Sequence, residues 1–191
     1  MRIGIYGGSF DPIHTGHAML ANYIAQTGEV DEVWLMVSPL NPLKKGTLPA
    51  PDLHRLAMAR EVAEQCRGVK ASDFEFSLPI PSYTYTTLCR LREAYPGDSF
   101  RLIIGSDNWQ EISRWRDPDK IIREFGLLIY PRPGYPAEGP LPKGVTLLEG
   151  VPTIDMSSTF VREMVREGKN INYFVPLCVS DYIHTHGLYK R

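Results

Sequence analysis

Residues 3–26 read IGIYGGSFDPIHTGHAMLANYIAQ, and this stretch decides the fold. Ile3-Gly4-Ile5-Tyr6 is a short apolar run, which predicts a buried strand. Gly7 and Gly8 follow, where the backbone is expected to turn tightly and approach a ligand. Thr15 is the predicted N-cap of an amphipathic helix over about Thr15–Gln26. His14 and His17 are spaced to share a face at its N-terminus. A strand, a turn and a helix N-terminus in that order form an anion site, because free N–H groups and the positive end of the helix dipole meet there. Two imidazoles add donors that can also carry charge. The plainer reading is a turn followed by a capped helix. No Gly-Lys-Ser/Thr follows, so this is not a P-loop, and the dinucleotide fingerprint is absent. His-x-x-His lacks a third ligand nearby, which argues against zinc.

Outward from this stretch, strand and helix patterns alternate. Strands are predicted at 33–37, around 69–76, at 100–105, 127–130 and 145–148. Helices are predicted at 51–65, 82–95, 117–125, 157–168 and 175–186. In the helix at 51–65 the apolar positions are Leu53, Leu56, Ala57 and Val62; in that at 82–95 they are Leu88 and Leu91. Continuous apolar strands separated by helices predict an α/β fold: a Rossmann-like, doubly wound parallel sheet with helices on both faces. A chain of 191 residues suits a single domain over 1–191. Residues 131–143, PRPGYPAEGPLPK, read as a surface loop excursion, and 170–191 as a closing helical segment.

The composition sets limits. The chain is 43% hydrophobic, enough for a full core, and its 21 basic residues nearly balance 22 acidic ones. No sequence-wide field favours nucleic acid or an anionic membrane, so neither is an expected partner. Cys66, Cys89 and Cys178 are widely spaced and odd in number, which fits a reducing cytoplasm better than a disulfide framework. The chain enters its first strand at once, leaving no room for a signal peptide. No apolar run approaches the length of a membrane span. The number of subunits is not readable.

In doubly wound sheets ligands bind beyond the carboxyl ends of the strands. The segment after strand one, Lys44 and Lys45 after strand two, and Gly105-Ser106-Asp107 after FRLIIG are therefore expected to meet in one crevice. Ser157-Ser158-Thr159 opens a helix and is either a capping run or a second phosphate-binding helix end. Arg162 is placed away from the face bearing Phe160, Val161 and Met164, as either a solvated arginine or a phosphate ligand.

GGSFDPIHTGH resembles the signature of the H-x-G-H nucleotidyltransferase superfamily. SSTFVR at 157–162 is similar to a motif of its nicotinate or nicotinamide mononucleotide adenylyltransferases, and SYTYTT at 82–87 and GSD followed by Trp115 are similar to two more. Arg132-Pro133-Gly134 and the ending Tyr173–Tyr189 match the bacterial form, so the likeness covers nearly the whole chain. The resemblance implies transfer of AMP from ATP to nicotinate mononucleotide, with nicotinamide mononucleotide as the alternative acceptor. Phosphopantetheine adenylyltransferase, a cytidylyltransferase and a non-catalytic nucleotide sensor are the rival readings.

The resemblance also implies roles for residues. His14, His17 and Arg162 are the implied catalytic residues, with His17 on the α-phosphate and His14 on the outer phosphates. The ATP set adds Gly7, Gly8, Ser9, Phe10, Gly105, Asp107, Ser157, Ser158 and Thr159. The mononucleotide set is Ser9, Lys44, Thr84, Tyr85, Thr86, Trp115 and Arg132. Mg²⁺ is expected to arrive with ATP, held mainly by phosphates and water, with Asp11 and Asp107 as indirect contacts. Two positions depart from the family pattern: Thr86 stands where aspartate is usual, and Arg116 where an aromatic is common.

Overall fold

A computed structural model describes residues 1–39, 49–137 and 139–190. Its elements run β1 (Arg2–Gly8), α1 (Thr15–Ile24), β2 (Glu32–Val37), α2 (Asp52–Glu64), β3 (Val69–Ser72), α3 (Thr84–Ala94), β4 (Ser99–Gly105), α4 (Ser106–Gln110), α5 (Pro118–Glu124), β5 (Leu127–Tyr130), β6 (Val145–Leu147), α6 (Ser158–Arg166) and α7 (Leu177–His186). The strands form one sheet in the order β3-β2-β1-β4-β5-β6. Every neighbouring pair is parallel. This is a doubly wound order, and the chain changes direction across the sheet between β1 and β4.

The unbroken apolar strands are explained by two cores. Ile3 and Ile5 face one side, with Trp34, Leu102, Leu88 and Leu91 of α3 and Ile121 of α5. Tyr6, Leu35 and Ile103 face the other, with Leu20 and Ile24 of α1, Leu56 and Val62 of α2, Val161 of α6 and Ile183 of α7. Successive strand residues point to opposite faces, so both must be apolar when both faces are covered.

Several expectations are corrected. Gly7 and Gly8 are the last residues of β1, not the turn. Phe10 makes the turn with φ 46, and its ring folds back so closely that a Cβ on Gly8 would lie 3.0 Å from it. The predicted strand at 69–76 ends at Ser72, and Phe74–Ser77 is a 3₁₀ turn. The short helix α4 was not foreseen. In α2, Leu53 is 75% exposed and Arg55 takes the inward position. Phe160 is likewise on the exposed side of α6. Between β5 and β6 the described residues hold no helix or strand.

Candidate active site

The carboxyl ends of β1 and β4 open into one large cleft. Its described lining includes the predicted Gly7, Gly8, Ser9, Phe10, His14 and His17 from the first motif. Gly105 and Asp107 line it after β4, and Ser157, Ser158, Thr159 and Arg162 line it at the start of α6. Thr84, Trp115 and Arg132 line it as well. Lys44 and Lys45 lie outside the described residues.

The two histidines cap one another. His14, not Thr15, is the N-cap of α1, and His17 is its third helical residue. The His14 N–H donates to His17 Nδ1 at 3.2 Å, and the His17 N–H donates to His14 Nδ1 at 3.3 Å. The rings stack with centroids 3.6 Å apart. A backbone N–H can only donate, so each Nδ1 is an unprotonated acceptor. Each neutral ring therefore carries its proton on Nε2. Burial, and secondarily the charge of Arg132, pushes His14 down to about 4. In the free protein His14 is thus a neutral donor at pH 7, which corrects the expectation of a charge-carrying ring.

The motif at α6 is tied to the first motif by side chains. Ser157 caps α6 by accepting from the Phe160 N–H at 3.2 Å. Ser158 donates to the Pro12 carbonyl at 2.9 Å. Two of the three hydroxyls are therefore structural. Arg162 donates to the Asp11 carbonyl at 2.7 Å and to Thr159 Oγ1 at 3.0 Å, and its guanidinium lies 3.6 Å from the Asp11 carboxylate. The Asp11 carboxylate in turn accepts from the Ala50 N–H and, at 2.9 Å, from the Tyr189 hydroxyl.

Gly105 is required by close approach. A Cβ there would lie 2.3 Å from Asp107 Oδ1 and 2.8 Å from Arg132 Cδ. Arg132 pairs with Asp107 at 3.4 Å, and its N–H donates to Ser106 Oγ at 2.8 Å. It is also near enough to act on His14. This moves Arg132 from the mononucleotide set to the group around the histidines, because β5 brings its following residue alongside the end of β4.

The start of α3 forms the other end of the cleft. The N–H groups of Thr84, Tyr85 and Thr86 have no intrahelical acceptor. Among the described residues, two buried polar atoms near this end have no hydrogen-bond partner, Ser82 Oγ and Trp115 Nε1, and both residues line the cleft. Arg116 lies over the Tyr83 ring at 4.7 Å. The side chains of Tyr85 and Thr86 do not line the cleft, which corrects their assignment. Tyr85 donates to Glu124 at 3.2 Å, and Thr86 is exposed. A helix start presents N–H groups along its axis while the side chains of its first turn fan outward.

Sequence reasoning missed three supporting residues. Arg55, fully buried, donates to the carbonyls of Ser9 at 2.6 Å, Ser38 at 2.8 Å and Ala50 at 2.8 Å, and pairs with Asp52. Glu75, also buried, accepts from Ser38 and Thr87 hydroxyls, each at 2.7 Å. Tyr189 is the third; burial and Asp11 hold its phenol well above its usual range, so it stays a donor. A charged residue within an apolar helical stripe was the available signal for Arg55. For Glu75 and Tyr189 no local signal exists.

Among the described residues no cluster of three or more His, Cys, Asp or Glu side chains is arranged to hold a metal ion. Asp11 and Asp107 are committed to the partners above. Among the described residues no helix is long and apolar enough to cross a membrane.

Comparison with known proteins agrees with this fold. The cytidylyltransferase-like family model matches residues 5–164. A Bacteroides thetaiotaomicron protein named "Probable nicotinate-nucleotide adenylyltransferase" is 49% identical over 184 residues, covering 96% of this chain and 91% of the relative. A Flavobacterium johnsoniae protein of the same name is 39% identical over 193 residues, covering 100% of both. Among solved structures, Plasmodium falciparum nicotinic acid mononucleotide adenylyltransferase complexed with NaAD superposes with a TM-score of 0.82 at 25% identity, covering 98% of this chain and 97% of that one.

Proposed function

The chain belongs to the cytidylyltransferase-like family, and from that membership and the two ends of the cleft we propose that it transfers AMP from ATP to nicotinate mononucleotide. The products are nicotinate adenine dinucleotide and pyrophosphate, a step of NAD biosynthesis. Its relatives are named for this activity.

The observation that carries the acceptor is the set of donors at the α3 end of the cleft, where the one carboxylate, Glu75, is already occupied by the Ser38 and Thr87 hydroxyls. The Ser82 hydroxyl and the Trp115 indole N–H stand there without partners among the described residues, beside the three N–H groups that open α3 and have no intrahelical acceptor. Leaving the two buried side-chain groups unpaired costs about 1–3 kcal/mol each. A pyridine carboxylate offers only acceptors and satisfies them. A carboxamide turns an N–H₂ toward other donors, so the nicotinamide analogue is disfavoured.

The chemistry needs no general base. An oxygen of the mononucleotide phosphate, already anionic at neutral pH, attacks the α-phosphorus of ATP in line. The new P–O bond forms as the bond to the bridging α–β oxygen breaks, and both electrons leave with pyrophosphate. The protein positions two anions and holds the charge on the transferring group. Nε2–H of His14 and His17, the N–H groups opening α6 and Arg162 supply these contacts. Positioning contributes roughly 7–11 kcal/mol in favourable cases, and one preorganised donor about 3–4 kcal/mol. Mg²⁺ would be held mainly by the ATP phosphates and water, and would supply charge neutralisation there. Its unpaired cysteines support a cytoplasmic location.

The test is pyrophosphate release measured with ATP and each acceptor in turn. Nicotinate mononucleotide should exceed nicotinamide mononucleotide in kcat/KM by at least about 100-fold. Equal rates would overturn the carboxylate assignment, and turnover only with phosphopantetheine or with CTP would overturn the reaction.

A further inference from the structure

Most cations that line the cleft are already neutralised. Arg114 pairs with Glu111, Arg116 with Asp117, Arg132 with Asp107 and Arg162 with Asp11. Arg166 and Lys190 line the same cleft, are exposed, and have no carboxylate partner among the described residues. Their placement is specific. Arg166 stands four residues after Arg162 on α6, hence on the same helix face and about one turn, roughly 5.4 Å, further out.

Lys190 reaches the cleft because the segment after α7 is held at three successive points. Gly187 ends α7 in the left-handed conformation with φ 61, and the Leu188 N–H donates to the Ile183 carbonyl at 3.0 Å. Tyr189, itself left-handed with φ 63, donates to Asp11 Oδ1 at 2.9 Å. Asp11 is also the residue that holds Arg162. One carboxylate therefore anchors both the inner arginine and the segment that delivers the outer lysine.

We propose that Arg166 and Lys190 form an outer phosphate subsite, which binds the terminal phosphates of ATP and the pyrophosphate that leaves. The proposal rests on the adenylyl-transfer reading above and extends it to residues outside the sequence motifs. Arg162 is partly spent on Asp11, so it cannot alone balance a triphosphate. The two unpaired cations lie beyond it, where the outer phosphates extend. Tyr189 is a positioning residue in this arrangement, acting through Lys190.

The experiment measures binding of inorganic pyrophosphate by calorimetry, together with KM for ATP and for nicotinate mononucleotide. It compares the wild type with Arg166→Gln, Lys190→Gln, the double variant and Tyr189→Phe. The double variant should raise the pyrophosphate Kd and the ATP KM about tenfold, with the mononucleotide KM unchanged. Tyr189→Phe should raise the ATP KM, and Lys190→Gln should cost less in that background than in the wild type, since the tyrosine acts in part through the lysine. Pyrophosphate binding that survives the double variant unchanged overturns the subsite, as does an equal rise in both KM values. Thermal unfolding of each variant accompanies these measurements. If the double variant is unstable, the single variants decide the question by pyrophosphate affinity alone. A wild type that binds pyrophosphate through both cations but forms no dinucleotide leaves the subsite standing and overturns the adenylyl-transfer reading.

Discussion

The guanidinium of Arg55 donates to the carbonyl of Ser9 at 2.6 Å, across 46 positions of sequence. The same group reaches Ser38 and Ala50, so one buried side chain fastens the loop after β1 to the loop after β2. Ser9 lies in the predicted phosphate-binding motif. The loop geometry at the cleft therefore depends on a residue that does not itself line it. Arg55→Lys keeps the charge but loses the planar fork that serves several carbonyls at once. Its expected cost is about 2 kcal/mol, read as a lower urea midpoint, with a larger loss for Arg55→Met. Unchanged midpoints in both variants would remove the clamp.

The capping histidines predict a pH dependence of stability. The folded protein holds His14 down at about 4, from an ordinary value of 6.5. The unfolded chain then binds the proton more readily, so stability falls as pH drops from about 6.5 toward 4 and is constant above that window as far as this group is concerned. The loss is on the order of 3 kcal/mol over the window. His14→Asn keeps a capping side chain without the titration. Urea unfolding at pH 7.5 and 4.5 should show a smaller drop for the variant than for the wild type. Equal drops would show that His14 is not held neutral.

His17→Ala removes an Nε2–H donor and half of the reciprocal cap. Turnover should fall about 100- to 1000-fold, with the circular dichroism spectrum retained. Near wild-type turnover would separate His17 from the transferring phosphate.

Trp115 and Ser82 give a test at the other end. Trp115→Ala should raise the KM for nicotinate mononucleotide at least tenfold, by about the size of a lost aromatic contact and hydrogen bond, and leave the ATP KM unchanged. Ser82→Ala carries a distinctive signature. Its hydroxyl is buried without a partner in the free protein, so removal should leave stability equal or raise it by up to about 1 kcal/mol, while acceptor affinity falls. Lower stability with unchanged affinity would mark Ser82 as purely structural.

Much of the fold was legible because both faces of the sheet are covered. Each central strand is then a continuous apolar run, and Ile3–Tyr6, Val33–Val37 and Phe100–Gly105 were readable for that reason. Element ends were less so: the stretch after Ser72 is apolar enough for a strand but finds no partner there and closes as a 3₁₀ turn. Leu53 and Phe160 are apolar yet exposed, since periodicity does not say which of two adjacent apolar positions the neighbouring layer covers.

By itself the sequence determined the parallel α/β architecture and the anion-binding helix start, because strand periodicity and a helix N-terminus are local properties. Through the motifs it also named residues that line the cleft, among them His14, His17, Arg162, Thr84 and Trp115, along with Tyr85 and Thr86, which do not. Only the tertiary structure decided what each group is free to do. His14 and His17 consume each other's Nδ1, Ser157 and Ser158 consume their hydroxyls, and Tyr85 is turned to Glu124. Arg166 and Lys190 have no carboxylate partner among the described residues. Hydrogen-bond capacity is allotted among neighbours in space, many of them more than 100 residues apart in the chain, such as Tyr189 and Asp11. A linear pattern cannot show that allotment.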